Sequence, residues 1–277
     1  MLYNSFDLSI FANIYIKFNM LVPVSSKHSI SRVIANFFLA QSFAKPKFVF
    51  DKLSTNNKLV NYQKKGLTSS KTINIENNSL NISNDSNNGF LFEEFDELGK
   101  SVNVLKVENT NNNKAIISIE NRKYSDWSNF KTRFINDLQI LSETFDVYIE
   151  AIGLTYIDEF IWKSDDNIDV YSIFNQNADL INNKFLNSYN GTIVSVSQSG
   201  HIDEVNFCEE KTEIVFNNQL KRIIINHTYA LKLKEISVFS NENSESFIEY
   251  FDKAHQANKD ILKDILTENV KGLINLK

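Results

Sequence analysis

Between Tyr124 and Trp162 the chain reads YSDWSNFKTRFINDLQILSETFDVYIEAIGLTYIDEFIW, an amphipathic helix that runs almost directly into one long strand. Trp127, Phe130, Phe134, Leu138, Leu141 and Phe145 recur at steps of three and four, with Ser125 or Asp126 placed to cap the first turn. From Val147 to Trp162 the pattern changes to β-branched and aromatic residues at even spacing. A helix with one apolar stripe and a strand of this length both need neighbours. The segment therefore demands a layered fold in which a helix covers a sheet.

Shorter runs supply the other strands. Ile30 to Phe43, Phe90 to Phe95, Ala115 to Ile119, Thr192 to Ser197, Ile202 to Phe207, Thr212 to Phe216 and Arg222 to His227 all have strand character. A second long helix is expected from about Ser246 to Leu266, with Phe247, Phe251, Ala254, Ile261, Leu262 and Ile265 on one face. Only 7 Gly and 2 Pro are present, so turns must come from Asn, Ser and Asp, which bond their own backbone. Asn74 to Asn88 and Glu108 to Lys114 read as hairpin tips or loops. The predicted class is α+β, with mostly antiparallel sheet and two long helices on one face.

The order of elements repeats. A long strand (Ile30 to Phe43, then Val147 to Trp162), a short helix (Lys47 to Lys52, then Val170 to Asn175), several strands and a closing helix follow one another twice. This predicts one domain over residues 20–277, built from two similar halves near 28–145 and 147–267, joined through their opening strands. Residues 1–19 are apolar but carry Asp7 and Lys17, which fits neither a spanning helix nor a signal peptide. They are expected to be an extension, with Met20 as an alternative start.

Charge and cysteine usage narrow the function classes. A net charge of −5 offers no broad attraction to nucleic acid or anionic lipid. Nucleic-acid binding would need a local patch, for which Lys27, Arg32, Lys221, Arg222, Lys232 and Lys234 are the candidates. Cys208 stands alone, so an internal disulfide is ruled out and the cytoplasm is the expected compartment. Glu209 and Glu210 beside it would raise its pKa and suppress the thiolate. No glycine loop of the phosphate-cradling kind occurs.

In three places the chain resembles the uncharacterised bacterial family described as "sporadically distributed protein". These are Tyr-x-x-Trp with the helix and the Ile-Gly-Leu-x-Tyr-Ile strand, the opening HSISRVIANFFLAQSFAKP from His28 to Pro46, and the closing FIEYFDKAHQANKDILKDILTENVKGLI from Phe247 to Ile274. The resemblance implies a mixed α/β fold, no established activity and an association with mobile or defence genes. The family strand often carries basic residues two positions before and after the glycine, and an amide two after the tyrosine. Here Ala151, Thr155 and Asp158 occupy those places, which removes the basis for an anionic ligand.

Candidate chemistry is sparse. With Phe251 at the centre of the closing helix's apolar face, a turn of about 100° per residue sets His255 about 40° to one side and Asn258 about 20° to the other. Both fall inside the buried stripe. They are read either as a packing pair that fixes the helix or, with Tyr156 and Trp127, as the lining of a ligand pocket. Glu150 and Asp158 are expected on one strand face, about 26 Å apart at about 3.3 Å per residue. That is too far for a dyad, and exposure or pairing with Lys or Arg is the expected role of each. His201 and Asp203 share a strand face after the Ser199-Gly200 turn, yet two ligands fall short of a zinc site. Asp165, Asn167 and Asp169 have calcium-loop spacing, but Val170 and Gln176 stand where glycine and glutamate are needed. Neither a metal nor another cofactor is expected.

The absence of clustered catalytic side chains favours a non-catalytic protein that acts by binding a partner protein. The alternatives are an enzyme or small-ligand sensor with a pocket between sheet and closing helix, and a nucleic-acid binder.

Overall fold

The computed structural model describes residues 20–76, 79–110, 112–187, 192–201 and 207–276. The expected extension, residues 1–19, lies outside them, as do Asp203 and most of the expected strand Ile202 to Phe207. The fold is α+β, with ten strands in one antiparallel sheet.

The two long opening strands lie side by side at its centre. β2 (Ile30–Leu39) pairs with β7 (Tyr148–Trp162), while β1 (Leu21–Pro23) pairs with the far end of β7. Outward from β2 come β6 (Ala115–Asn121), β5 (Ser101–Asn109), β4 (Ser79–Phe95) and β3 (Lys64–Glu76). Outward from β7 come β10 (Arg222–Val238), β9 (Phe207–Asn217) and β8 (Thr192–His201). Each side thus places its last strand against its opening strand and works back through the chain toward the edge.

Among the described residues six α-helices interleave with these strands: α1 (Pro46–Ser54), α2 (Trp127–Ser142), α3 (Val170–Ile173), α4 (Asn183–Leu186), α5 (Ser244–Ile265) and α6 (Glu268–Leu273). Asp126 caps α2 by accepting from the Asn129 amide, which satisfies one of the orphan donors at a helix start. α2 and α5 bury their apolar stripes on one face of the sheet, against Val33, Ala35 and Phe37 of β2 and Leu154 of β7. On the other face, among the described residues, Ile34, Phe38, Ile157 and Ile224 stay partly exposed and no helix covers them. Burial of the apolar residues, at about 25 cal/mol per Å² of area removed from water, is the main force holding helices to sheet.

The core is divided. One apolar cluster lies beneath α1, α2 and the first turns of α5, ending at Tyr156 on β7 and Ala254 on α5. The second begins at Phe160 on β7 and Leu262 on α5, and gathers α3, α4 and α6. Asp158, His255 and Asn258 fall between them.

Several sequence expectations change. β2 ends at Leu39 rather than Phe43. Residues 74–76 and 79–88 are strand of β3 and β4, with residues 77–78 between them outside the described ones, and Ser199-Gly200 lies within β8. In β3, β4 and β8 the ladder of a neighbouring strand overrides the local turn preference of Asn, Ser and Gly. The β2–β7 register shifts so that Phe38 faces Ala151 and Leu39 faces Ile149. This bulge inserts Glu150 and reverses the alternation on its N-terminal side. Ile149 is consequently buried, and Glu150 stands on the opposite face from Asp158, paired with Lys114 at 2.6 Å. Gly89 in β4 has a steric role: a Cβ there would collide with the Val107 carbonyl of β5.

Candidate functional site

The polar seam opens into a cleft of about 340 Å³ bounded by the chain before β2, the loop before α2, the middle of α5 and the C-terminal segment after α6. Its position follows from an excursion of the backbone. β1 and β2 both pair with β7, but residues 24–29 leave the sheet between them. The chain returns through two backbone bonds to Glu159, which donates to the Ser29 carbonyl at 2.8 Å and accepts from Val24 at 3.2 Å. Lys27, His28 and Ser29 are thereby carried over the middle of β7.

At the centre is Asp158, fully buried. The Ser29 hydroxyl donates to its Oδ1 at 2.6 Å, and Oδ2 has no partner. Burial pushes its carboxyl up to about 7, with only the Ser29 bond pulling the other way. The sequence expectation of an exposed or ion-paired Asp158 is therefore corrected: its even spacing from Tyr156 turns it toward the helices.

His28 lines the same cleft from the excursion. Its Nε2 lies 3.0 Å from the Tyr124 carbonyl, which can only accept, so Nε2 carries the hydrogen. Burial lowers the His28 pKa against the opposing pull of the Tyr124 and Ile30 backbone, and with the hydrogen on Nε2 the neutral ring leaves Nδ1 as a lone pair with no hydrogen-bond donor. From α5, Asn258 is 2% exposed and its Oδ1 also lacks a partner. Three elements thus bring three residues with unpaired buried polar atoms to one cleft. Each orphaned group costs about 1–3 kcal/mol, a concentration that sets the seam apart from ordinary core. A larger hollow of about 420 Å³ beside Leu233 and Tyr250 contains none of the orphaned atoms.

His255 closes one wall. Its ring stacks on Trp127 with centroids 4.7 Å apart and planes at 12°, and its Nδ1 lies 2.7 Å from the Tyr156 hydroxyl. Burial holds its pKa down at about 4, helped by the charge of Lys259. Trp127 in turn donates from Nε1 to Asp252 at 2.5 Å, and Lys131 bonds the same carboxylate at 2.9 Å. These contacts tie the start of α2 to α5. Tyr156 does not line the cleft. It is fully buried behind His255, packed against Tyr124, and burial raises the pKa of both phenols.

Of the four residues singled out from sequence, Trp127, His255 and Asn258 line the cleft and Tyr156 supports it. Helical spacing found the α5 pair. It could not find His28 and Ser29, whose positions depend on the excursion between β1 and β2. His227 of β10, buried next to Tyr156 in the sheet register, was also missed; its Nε2 meets Glu210 at 2.9 Å and its Nδ1 is unpaired.

The arrangement lacks the relay of a nucleophilic site, since the Ser29 hydroxyl donates to a carboxylate rather than to an imidazole. No group of three or more His, Cys, Asp or Glu able to hold a metal occurs among the described residues. The backbone of His201 ends β8, and its proposed partner Asp203 lies outside the described residues. Residues 164–166 form a bend. Cys208 is half-buried, and its thiol is raised by burial first and by Glu210 and Glu209 after it. The basic candidates do not form one free patch: Arg32 pairs with Glu120, Arg222 with Glu159, and Lys221 bonds the carbonyls of Asp165 and Asp166. No described helix is long and apolar enough to cross a membrane.

The chain matches no family model, no curated protein and no solved structure. The family resemblance noted above rests on the quoted residues alone.

Proposed function

We propose that this chain is a non-catalytic binding protein for a small polar ligand, taken up in the cleft between the sheet and α5. One observation carries the reading: the unpaired atoms of His28, Asp158 and Asn258, from three separate elements, belong to residues lining one cleft. A volume of about 340 Å³ lies within the ordinary range of small-molecule sites. A crystal structure of the full chain purified from its native host tests it. Ligand density touching all three residues is the expected result. Ordered water satisfying all three atoms would overturn the proposal.

A partner protein is the second reading, supported by the helix-free sheet face with Ile34, Phe38, Ile157 and Ile224. Apolar residues on an uncovered face are a common feature of interaction surfaces. Affinity capture with the parent and with Phe38→Glu should differ by the loss of one specific partner; identical captures would sink this reading. Nothing in the site favours a reaction or nucleic-acid binding.

A further inference from the structure

Building on the small-ligand reading, we propose that the cleft takes a zwitterion of amino-acid size, its ammonium group set among His28 Nδ1, Asp158 Oδ2 and Asn258 Oδ1 and its anionic group held by Lys27 and Lys259. The floor decides the first half. With Asp158 ionised, all three unpaired atoms are acceptors, one of them on a carboxylate, and an ammonium has three N–H donors to satisfy them. A neutral hydroxyl has one. A carboxylate has only acceptors to offer, and both it and a phosphate would be repelled by the ionised Asp158.

The rim decides the second half. Lys27 and Lys259 both line the cleft, and neither forms an ion pair among the described residues. Of the carboxylates around the cleft, Asp126 is occupied with capping α2, bonded to Asn129 and Ser125, and Asp252 is held by Trp127 and Lys131. The two lysines are therefore free to meet an anion. Ile30, Leu262, Ile274 and Leu276 also line the cleft, which suits a short aliphatic body rather than a sugar or nucleobase.

The test is thermal shift and calorimetry on the full chain with each of the twenty standard amino acids, together with n-butylamine, butyrate and inorganic phosphate as single-charge probes. At least one amino acid should raise the melting temperature, and neither n-butylamine nor butyrate should match it. Asp158→Asn, which retains the Ser29 bond, should weaken that binding at least tenfold. Lys259→Met, on a partly buried surface position, should weaken it several-fold without changing the fold.

Tight binding of n-butylamine alone, or an affinity unaffected by Lys259→Met, would overturn the role of the rim. Binding of phosphate or butyrate in preference, or no response to any amino acid, would overturn the zwitterion. Those results leave the small-ligand reading standing if a crystal structure still shows ligand density on Asp158, and water on all three acceptors removes both.

Discussion

Two buried aspartates, one near each closing helix, have opposite surroundings. Asp137 of α2 is 4% exposed. It accepts from the Tyr62 hydroxyl at 2.6 Å and from Arg133 Nε at 3.2 Å, and Arg133 continues to Glu94, which also accepts from Asn103. Burial pushes its carboxyl up, against the pull of Arg133 and Tyr62. No buried side-chain atom of these residues lacks a partner. Asp158 has one neutral donor, no cation bonded to it and an oxygen left unpaired. A closed polar network holds a fold together, whereas an open one is maintained at a cost in stability that only something absent from the chain can offset.

Breaking the closed network should have the largest effect. Asp137→Ala leaves Arg133 buried beside Tyr62 without its carboxylate, and the loss should be about 4 kcal/mol in urea denaturation at pH 7. A loss near zero would mean that the contrast between the two sites is not energetic.

The open site should respond with the opposite sign. The folded pKa of Asp158 is raised from 3.8 to about 7, so between about pH 4 and 7 the folded state binds more protons than the unfolded. Stability therefore falls as pH rises through that window, by about 4 kcal/mol in all, and is level above it. Asp158→Asn removes this term but buries an amide N–H with a cost of about 1–3 kcal/mol. The variant should be about 2 kcal/mol more stable than the parent at pH 8 and less stable at pH 4. The groups around Asp158 are Ser29, bonded to it, Tyr156 of β7 and Tyr124 before α2, and, lining the same cleft, His28 from the excursion and His255, Asn258 and Lys259 from α5. His255 works in the other direction: its folded pKa of about 4 lies below 6.5, so its contribution is lost as pH falls through that range. The acid limb of the Asp158→Asn melting profile should therefore still decline below about pH 6. A profile for the variant that parallels the parent at every pH would refute the assignment.

The smallest effect belongs to the support behind the cleft. Tyr156→Phe removes the hydroxyl that meets His255 Nδ1 and should cost about 1 kcal/mol in thermal denaturation. A loss of several kcal/mol would show that the seam is packed as tightly as the network around Asp137.

Much of this organisation was legible in the chain. The α5 stripe placed His255 and Asn258 inward because helical geometry relates them to Phe251 whatever the helix packs on. The same reasoning applied to α2 would have found Asp137, about 60° from Phe134 and next to Leu138, but it was not singled out. Even spacing put Asp158 on the face of Tyr156, and failed for Glu150 because a one-residue bulge reverses parity from a point that no local pattern marks. Lys27 read only as one member of a basic patch and His28 and Ser29 only as the approach to a strand, since nothing local shows that β1 and β2 share one partner.

By itself the sequence determined the class of the fold, its two long helices, its two central strands and the polar character of the middle of α5. These follow from periodicities of 3.6 and 2, which each segment carries within itself. Only the tertiary structure decided that two apolar clusters meet along a polar seam, that residues 24–29 swing out to cover Asp158, and that three acceptors remain unpaired there. A hydrogen-bonding group has no fixed partner until distant elements converge on it, and burial, which sets both its cost and its pKa, is a property of all the elements around it at once.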